Sequence, residues 1–289
     1  MAWSAGLFAS QAALALAGGA DGRARKAQMP AWIAAAALLV VGGIAVFFHL
    51  QHWERIFNGF GHLTSGITQE LICIVVLAVV AVAYLVFLRK GGVPKWLAVV
   101  AIAVSAVLVV VMAHSYTMAA RPAWDSPLWL LYVLGNACVL GPATMALIVA
   151  LAGGDGEANA KAKGGLKLAG TIALAGSAVN AVASVAFAAA LQMSGGSFAS
   201  VGYYFDPTHP TAAMADVAGA VSAQAPLLWL GAVVVGALVP LAAAFLARRK
   251  GDAAAWKLWG AVAVVAALVG AVCMRVVFYE LGFSVFMFY

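Results

Sequence analysis

The chain has 289 residues, of which 65% are hydrophobic and 9% charged, and its formal net charge is +6. So few charged residues cannot cover a separate water-soluble domain, and the composition predicts one all-α membrane bundle over residues 1–289. The positive charge is confined to short gaps between apolar runs, so we expect membrane lipid and no nucleic acid among its partners.

The apolar runs predict eight transmembrane helices, because about 20 apolar residues match the hydrocarbon thickness and backbone in lipid must be helical. In chain order, the predicted spans lie near residues 2–19, 31–50, 67–88, 94–113, 127–151, 166–191, 225–247 and 256–278. The small residues from Ala15 to Ala20 would also suit a cleaved signal peptide. Basic residues follow this run rather than precede it, which favours an uncleaved first span.

The Lys and Arg residues predict the orientation of the bundle. Most of the 16 lie in alternate gaps, near residues 23–26, 89–95, 161–167 and 248–257. Cytoplasmic loops are enriched in Lys and Arg, so we expect these gaps to face the cytoplasm. Both termini and the gaps 51–66, 114–126 and 192–224 are then expected outside.

The middles of the predicted spans carry only mild polar groups. Ser177, Asn180 and Ser184 share one face of the sixth span, and Asn136 lies in the fifth, which predicts hydrogen bonds between helices. A charged proton relay is not expected. The cysteines lack metal-binding spacing, so an iron–sulfur cluster would belong to a partner. They are Cys73, Cys138 and Cys273.

Ionisable side chains from four predicted spans reach one level at the outer boundary of the membrane. At about 1.5 Å per residue, each lies roughly 26 to 28 Å above an inner Trp, Arg or Lys of the same span. They are His49, Glu70, His114 and Arg275. Interfacial anchoring would explain any one of these side chains. Their occurrence at one level on four spans favours a pocket open to both lipid and water.

Such a pocket suits a quinol, whose ring needs hydrogen-bond donors and proton acceptors while its tail stays in lipid. His49 and a partly desolvated Glu70 would titrate near neutral pH, so both are candidates to accept quinol protons. Arg55, Tyr116 and Tyr279 are close in the predicted topology. A single b-type haem between His49 and His114 is an alternative, whereas haems on both sides are excluded because all five histidines lie on the predicted outer side.

The outer connection from His49 to Asn58 has the spacing His-Leu-x4-Arg-x-Phe-Asn, and Glu70 follows at the start of the next span. This pattern resembles the membrane anchor subunit of dimethyl sulfoxide reductase-type molybdoenzymes. Further matching segments are Tyr116 with Pro122 and Trp124, Gly141-Pro142, and Arg275-x-x-Phe278-Tyr279. The similarity follows most of the chain in order and spacing, with few strict identities.

The resemblance implies an eight-helix, haem-free anchor of anaerobic respiration in the bacterial cytoplasmic membrane, without a metal site of its own. It would oxidise menaquinol and pass electrons to a four-cluster iron–sulfur subunit docked on the outer face. That subunit would feed a molybdopterin catalytic subunit, so this chain would reduce no terminal substrate. In the family, the His and Glu at the positions of His49 and Glu70 are associated with the quinol site, and Arg55 falls in the connecting loop.

The full set expected at the quinol site is His49, Arg55, Glu70, His114, Tyr116, Arg275 and Tyr279. The outer gap 192–224 lacks Lys and Arg but carries aromatic residues, which predicts a docking surface for the partner. These aromatic residues are Tyr203, Tyr204 and Phe205. Two other functions stay open: a secondary transporter, although no charged midplane site interrupts a span, and an anchor of the polysulfide reductase type.

Overall fold

The computed structural model describes residues 1–17, 23–49, 61–119, 121–152, 160–193 and 217–283, and at a few helix ends only the backbone. Within these ranges the regular structure is helical, which confirms the all-α prediction. The helices are α1 (Ala2–Leu16), α2 (Arg23–His49), α3 (Gly66–Arg89), α4 (Lys95–His114), α5 (Pro127–Leu151), α6 (Ala160–Met193), α7 (Val217–Pro226), α8 (Val239–Lys250) and α9 (Ala253–Glu280). A π-helical segment, Leu227–Leu238, joins α7 to α8.

Among the described residues, seven helical stretches are long and apolar enough to cross a membrane, which indicates a multi-pass membrane protein. They are Ala24–Val46, Gly66–Arg89, Lys95–His114, Pro127–Leu151, Gly164–Met193, Gly219–Lys250 and Ala253–Glu280. These stretches coincide with the second to eighth predicted spans. The stretch Gly219–Lys250 combines α7, the π-helical segment and α8.

The first predicted span differs from the others. Helix α1 has 15 residues, about 22 Å, and is shorter than the roughly 30 Å hydrocarbon layer. It packs against α2, α4 and α5, and its Leu7 and Leu14 are fully buried. An eighth span and the location of the termini therefore stay predictions.

Hydrogen bonds fix α1 to its neighbours. Ser4 Oγ donates to the Ala35 carbonyl of α2 at 2.6 Å, and Gln11 Nε2 donates to the Gln28 carbonyl at 2.8 Å. The hydroxyl of Tyr84 in α3 donates to Gln28 Oε1 at 3.1 Å. Since hydrocarbon offers these groups no partners, the bonds select one arrangement of the three helices.

Helix α5 is the centre of the bundle, buried along most of its length, whereas α2 and α3 expose apolar side chains such as Val41 and Val79. At the crossing of α1 and α5, the backbones of Gly6 and Gly141 approach so closely that a Cβ on either would collide with the other helix. Small residues permit such crossings where no hydrophobic force draws helices together.

The polar face of α6 confirms one predicted interhelical hydrogen bond. Asn180 Nδ2 donates to the Gly236 carbonyl in the π-helical segment at 3.2 Å. Ser177 and Asn136 instead donate to carbonyls of their own helices, four residues earlier. The predicted face therefore holds α6 against the sixth apolar stretch, Gly219–Lys250, mainly through Asn180.

The close contact between α9 and the π-helical segment gives a first prediction. A Cβ on Gly270 would collide with the backbone of Gly236. We expect Gly270→Ala to lower the free energy of unfolding by about 1 to 3 kcal/mol, because overpacking forces the helices apart. Gly260→Ala on the same helix is the matched control, since its new Cβ would meet its nearest neighbour, Leu147, at 3.4 Å. Equal unfolding temperatures for the two variants in detergent would contradict the prediction.

Candidate functional site

An arginine and several aromatic rings meet where α5 begins and α9 ends. The Cζ atom of Arg275 lies 4.8 Å from the ring centroid of Tyr116 and 5.1 Å from that of Trp129. It lies 5.6 Å from the rings of both Phe278 and Tyr279. Cation–π attraction stabilises this arrangement away from water. We define the arginine–aromatic cluster as Tyr116, Trp124, Trp129, Tyr132, Phe187, Arg275, Phe278 and Tyr279.

Local sequence positions two sides of the cluster. Arg275, Phe278 and Tyr279 are three and four residues apart, so they share one face of α9. On the other side, Ser126 Oγ accepts a hydrogen bond from the Leu128 amide at 3.2 Å, and the next residue is a proline at the first helical position. This N-cap begins α5 at a fixed residue and places Trp129 in its first turn.

The rings form a continuous wall. Phe278 stacks on Trp129 with centroids 3.8 Å apart and on Trp124 with centroids 4.7 Å apart. Tyr132 continues the wall, with its ring 5.7 Å from Trp129 and 5.8 Å from Phe187 of α6. The wall joins the connection before α5 to α5, α6 and α9, and its rings are buried against one another beside the guanidinium.

The connection between α4 and α5 caps the end of α9. Trp124 Nε1 donates to the Phe278 carbonyl at 2.6 Å, and Arg121 Nη1 donates to the Gly282 carbonyl. The last carbonyls of a helix lack intrahelical donors, so the bond from Trp124 satisfies a carbonyl that α9 leaves free, and the bond from Arg121 holds the residue two positions after the helix. The Arg121 guanidinium also lies 4.6 Å from the Trp124 ring centroid, which holds the cap in place.

We expect Trp124→Phe to keep the ring stack but lose the bond to the Phe278 carbonyl. The free energy of unfolding should fall by about 1 kcal/mol, the usual net contribution of one hydrogen bond. Trp96→Phe on α4 is the matched control, because the Trp96 side chain is 61% exposed, and it should unfold like the native chain. Calorimetry in detergent measures both, and equal unfolding temperatures would show that the cap does not stabilise α9.

Glu70 lies in the first turns of α3, close to the connection that carries Tyr116. A Cβ on Gly66 would lie 2.9 Å from that of Ser115, so the start of α3 packs directly against the residue before Tyr116. The charge of Glu70 acts electrostatically on Arg275 and on Tyr116. A carboxyl group therefore lies within electrostatic range of the guanidinium.

The two phenols of the cluster are linked, since the hydroxyls of Tyr116 and Tyr279 share a hydrogen bond. Burial raises the pKa of Tyr116 well above its ordinary value. Its hydroxyl therefore keeps its proton at neutral pH and can donate a hydrogen bond but not act as a base. Among these groups, the carboxylate of Glu70 is the one that can accept a proton.

Two buried donors of the cluster, Arg275 Nη1 and Trp129 Nε1, have no hydrogen-bond partner among the described residues. Leaving a buried donor unpaired costs about 1 to 3 kcal/mol, and more for a charged one. A ligand oxygen beside Arg275 and Trp129 would remove that penalty. The cluster thus has the properties of a site for a flat ligand with oxygen acceptors.

The structure brings together Tyr116, Arg275 and Tyr279 from the predicted quinol site, and the charge of Glu70 acts on Arg275. His114 is exposed, and its Nδ1 lies 3.0 Å from Thr117 Oγ1, so it pairs there and does not join the cluster. The side chain of His49 and all of Arg55 lie outside the described residues, as do the aromatic residues predicted for docking, Tyr203, Tyr204 and Phe205.

Sequence reasoning did not assign Trp129, Tyr132 or Phe187 to the site. A tryptophan in the first turn of an apolar helix is typical of an interfacial anchor, so Trp129 gave no distinct signal. Its burial, with 2% of the side chain exposed, is what separates it from an anchor. Among the described residues, no group of three His, Cys, Asp or Glu side chains is placed to hold a metal ion.

Comparison of the chain with protein-family models, with curated proteins and with solved structures found no match. The function is therefore argued from the cluster and from the resemblance given above.

Proposed function

We propose that this chain is the membrane anchor and quinol-oxidising subunit of a molybdopterin oxidoreductase complex in the bacterial cytoplasmic membrane. The observation that carries the proposal is the arginine–aromatic cluster, in which two buried donors have no hydrogen-bond partner among the described residues. The resemblance to anchors of dimethyl sulfoxide reductase-type enzymes supports menaquinol as the substrate.

The chemistry of a quinol suits each part of the cluster. Its flat ring would stack on the exposed ring of Tyr279, because Trp124 and Trp129 already cover both faces of Phe278. Its oxygens would accept hydrogen bonds from Arg275 Nη1 and Trp129 Nε1. The positive charge of Arg275 would stabilise the anion formed when a quinol hydroxyl loses its proton.

Oxidation of quinol to quinone releases two protons and two electrons. In the proposed step, the Glu70 carboxylate accepts one proton from a quinol hydroxyl. His49 stays the predicted acceptor of the other. The electrons leave one at a time to an iron–sulfur cluster of a partner docked on the outer face, and that partner passes them to a molybdopterin subunit. The clusters and the molybdopterin belong to the partners, and no haem is proposed for this chain.

The test is whether quinol reduces the clusters of the purified complex. We expect the chain to copurify with soluble cluster-bearing subunits, and a menaquinol analogue to reduce those clusters in electron paramagnetic resonance spectra. Isolation of the chain alone, with substrate-dependent solute flux in liposomes, would overturn the proposal in favour of a transporter. Quinone reduction by a sulfide donor through the complex would favour the polysulfide reductase type.

A further inference from the structure

A pocket of about 160 Å³ lies at the end of the bundle that is predicted to face the cytoplasm. Its walls come from the ends of α1 and α3, the start of α2 and the connection from α3 to α4. They include Ala15, Arg25, Gln28 and Leu88. The pocket is far from the proposed quinol site, since Leu88 follows Glu70 by 18 residues, about 27 Å along α3.

The pocket lies at the level where the apolar stretches end. Arg25 is the second residue of the stretch in α2, and Leu88 is the last residue but one of the stretch in α3. Val93, which also lines the pocket, lies two positions before the stretch in α4. Lipid headgroups occupy this level of a membrane, so the pocket adjoins headgroups rather than the centre of the hydrocarbon.

Positive charge predominates in the segments that form the pocket. The ranges 15–30 and 85–100, which contain its walls, carry six Lys and Arg residues and one carboxylate. The carboxylate is Asp21, which lies outside the described residues. The cations are Arg23, Arg25, Lys26, Arg89, Lys90 and Lys95. This excess of cations beside a membrane surface favours an anionic ligand.

Arg25 and Gln28 supply polar groups to the wall. They are three residues apart, so they lie on one face of α2. The planar guanidinium of Arg25 has several N–H donors in a geometry that fits phosphate oxygens. Gln28 is buried, and its Nε2 carries two hydrogens, of which one is donated to the Gln11 carbonyl at 3.4 Å. The wall thus combines one cation with a buried amide that has a hydrogen to spare.

We propose that this pocket binds a phosphate group, supplied by the headgroup of an anionic phospholipid. At roughly 30 Å³ per water-sized group, 160 Å³ holds about five such groups, which matches the five non-hydrogen atoms of a phosphate. Arg25 would donate to the phosphate oxygens, and the neighbouring cations would attract the headgroup. The bound lipid would fix the ends of α1, α2 and α3 at the membrane surface, independently of any quinol chemistry.

Two arginines on the same predicted side of the membrane provide a matched test. Arg25→Gln and Arg249→Gln each remove one exposed cation, and only Arg25 lines the pocket. We expect the native protein and Arg249→Gln to retain phosphatidylglycerol in mass spectra of the intact protein released from detergent. Arg25→Gln should bind this lipid about fivefold more weakly, the factor that one cation near a membrane surface contributes. Phosphatidylcholine, which has no net charge, should bind weakly to all three.

A second variant fills the pocket without changing its charge. Gly92 lines the pocket, and a Cβ on Gly92 would meet no atom within 4 Å, so Gly92→Leu should fold and occupy the space. Gly164→Leu is the matched control, because Gly164 is equally exposed and open but does not line the pocket. We expect Gly92→Leu to lose phosphatidylglycerol and Gly164→Leu to retain it. This pair decides the question if Arg25→Gln fails to fold.

The same measurement with inorganic phosphate distinguishes the source of the phosphate group. Phosphate binding that depends on Arg25, with no lipid retained, would overturn the lipid as its source. Equal retention of phosphatidylglycerol by the native protein, Arg25→Gln and Gly92→Leu would overturn the site itself. Loss in Arg25→Gln but not in Gly92→Leu would show attraction to surface charge without use of the pocket. Equal retention of phosphatidylglycerol and phosphatidylcholine by the native protein would show that charge does not select the ligand, which also contradicts the proposal.

Discussion

Replacing Glu70 with Gln is expected to slow quinol-dependent reduction of the complex by about 100- to 10,000-fold, the range typical for loss of a general base. Gln has nearly the same size and can still accept a hydrogen bond, so the packing of α3 against the connection after α4 should persist. It cannot take a proton from a quinol hydroxyl. The rate of cluster reduction after rapid mixing with a menaquinol analogue measures the effect.

Glu280→Gln is the matched control, because Glu280 is an exposed carboxylate at the end of α9. It should reduce clusters at the native rate. The soluble subunits of both variants should keep their activity with an artificial electron donor. A native rate in Glu70→Gln would show that Glu70 accepts no quinol proton. His49 would then be the remaining predicted proton acceptor.

Replacing Arg275 with Gln is expected to lower kcat/KM for quinol by about 10- to 100-fold, because a hydrogen bond from a charged donor contributes about 1.5 to 3 kcal/mol. The variant loses the buried donor Nη1 and the guanidinium that lies over four aromatic rings. Arg275→Lys should retain part of the rate, since it keeps the charge but not the planar fork.

The control for Arg275 is Arg249→Gln, an exposed position in the last turn of α8. Steady-state quinol oxidation at matched assembly compares the variants. If Arg275→Gln lowers only the unfolding temperature and the assembled complex oxidises quinol at the native rate, Arg275 stabilises the bundle and does not bind the ligand.

The sequence was sufficient to predict the seven apolar stretches. Hydropathy reports how well a segment transfers into an apolar medium, so the position of each stretch follows from the sequence. Hydropathy does not separate a helix that faces lipid from one enclosed by protein. For that reason α1 was predicted as a full span, although it is short and surrounded by other helices.

The direction of each side chain around its helix was harder to predict. His114 and Arg275 were placed at the same height, yet Arg275 contacts the aromatic wall and His114 is exposed beside Thr117. Which face of a helix points inwards depends on the packing of the whole bundle. When a span is apolar on every face, its sequence does not indicate which face packs inwards.

The enclosure of α1 has a consequence for biogenesis. Gln11 is buried and donates to the Gln28 carbonyl, and two of the helices that cover α1, α4 and α5, are synthesised well after it. The partner of Gln11 is available once α2 has been made, whereas the faces of α1 that α4 and α5 cover are enclosed only after α5 has been synthesised. A nascent chain that stops before α5 therefore leaves these faces of α1 uncovered.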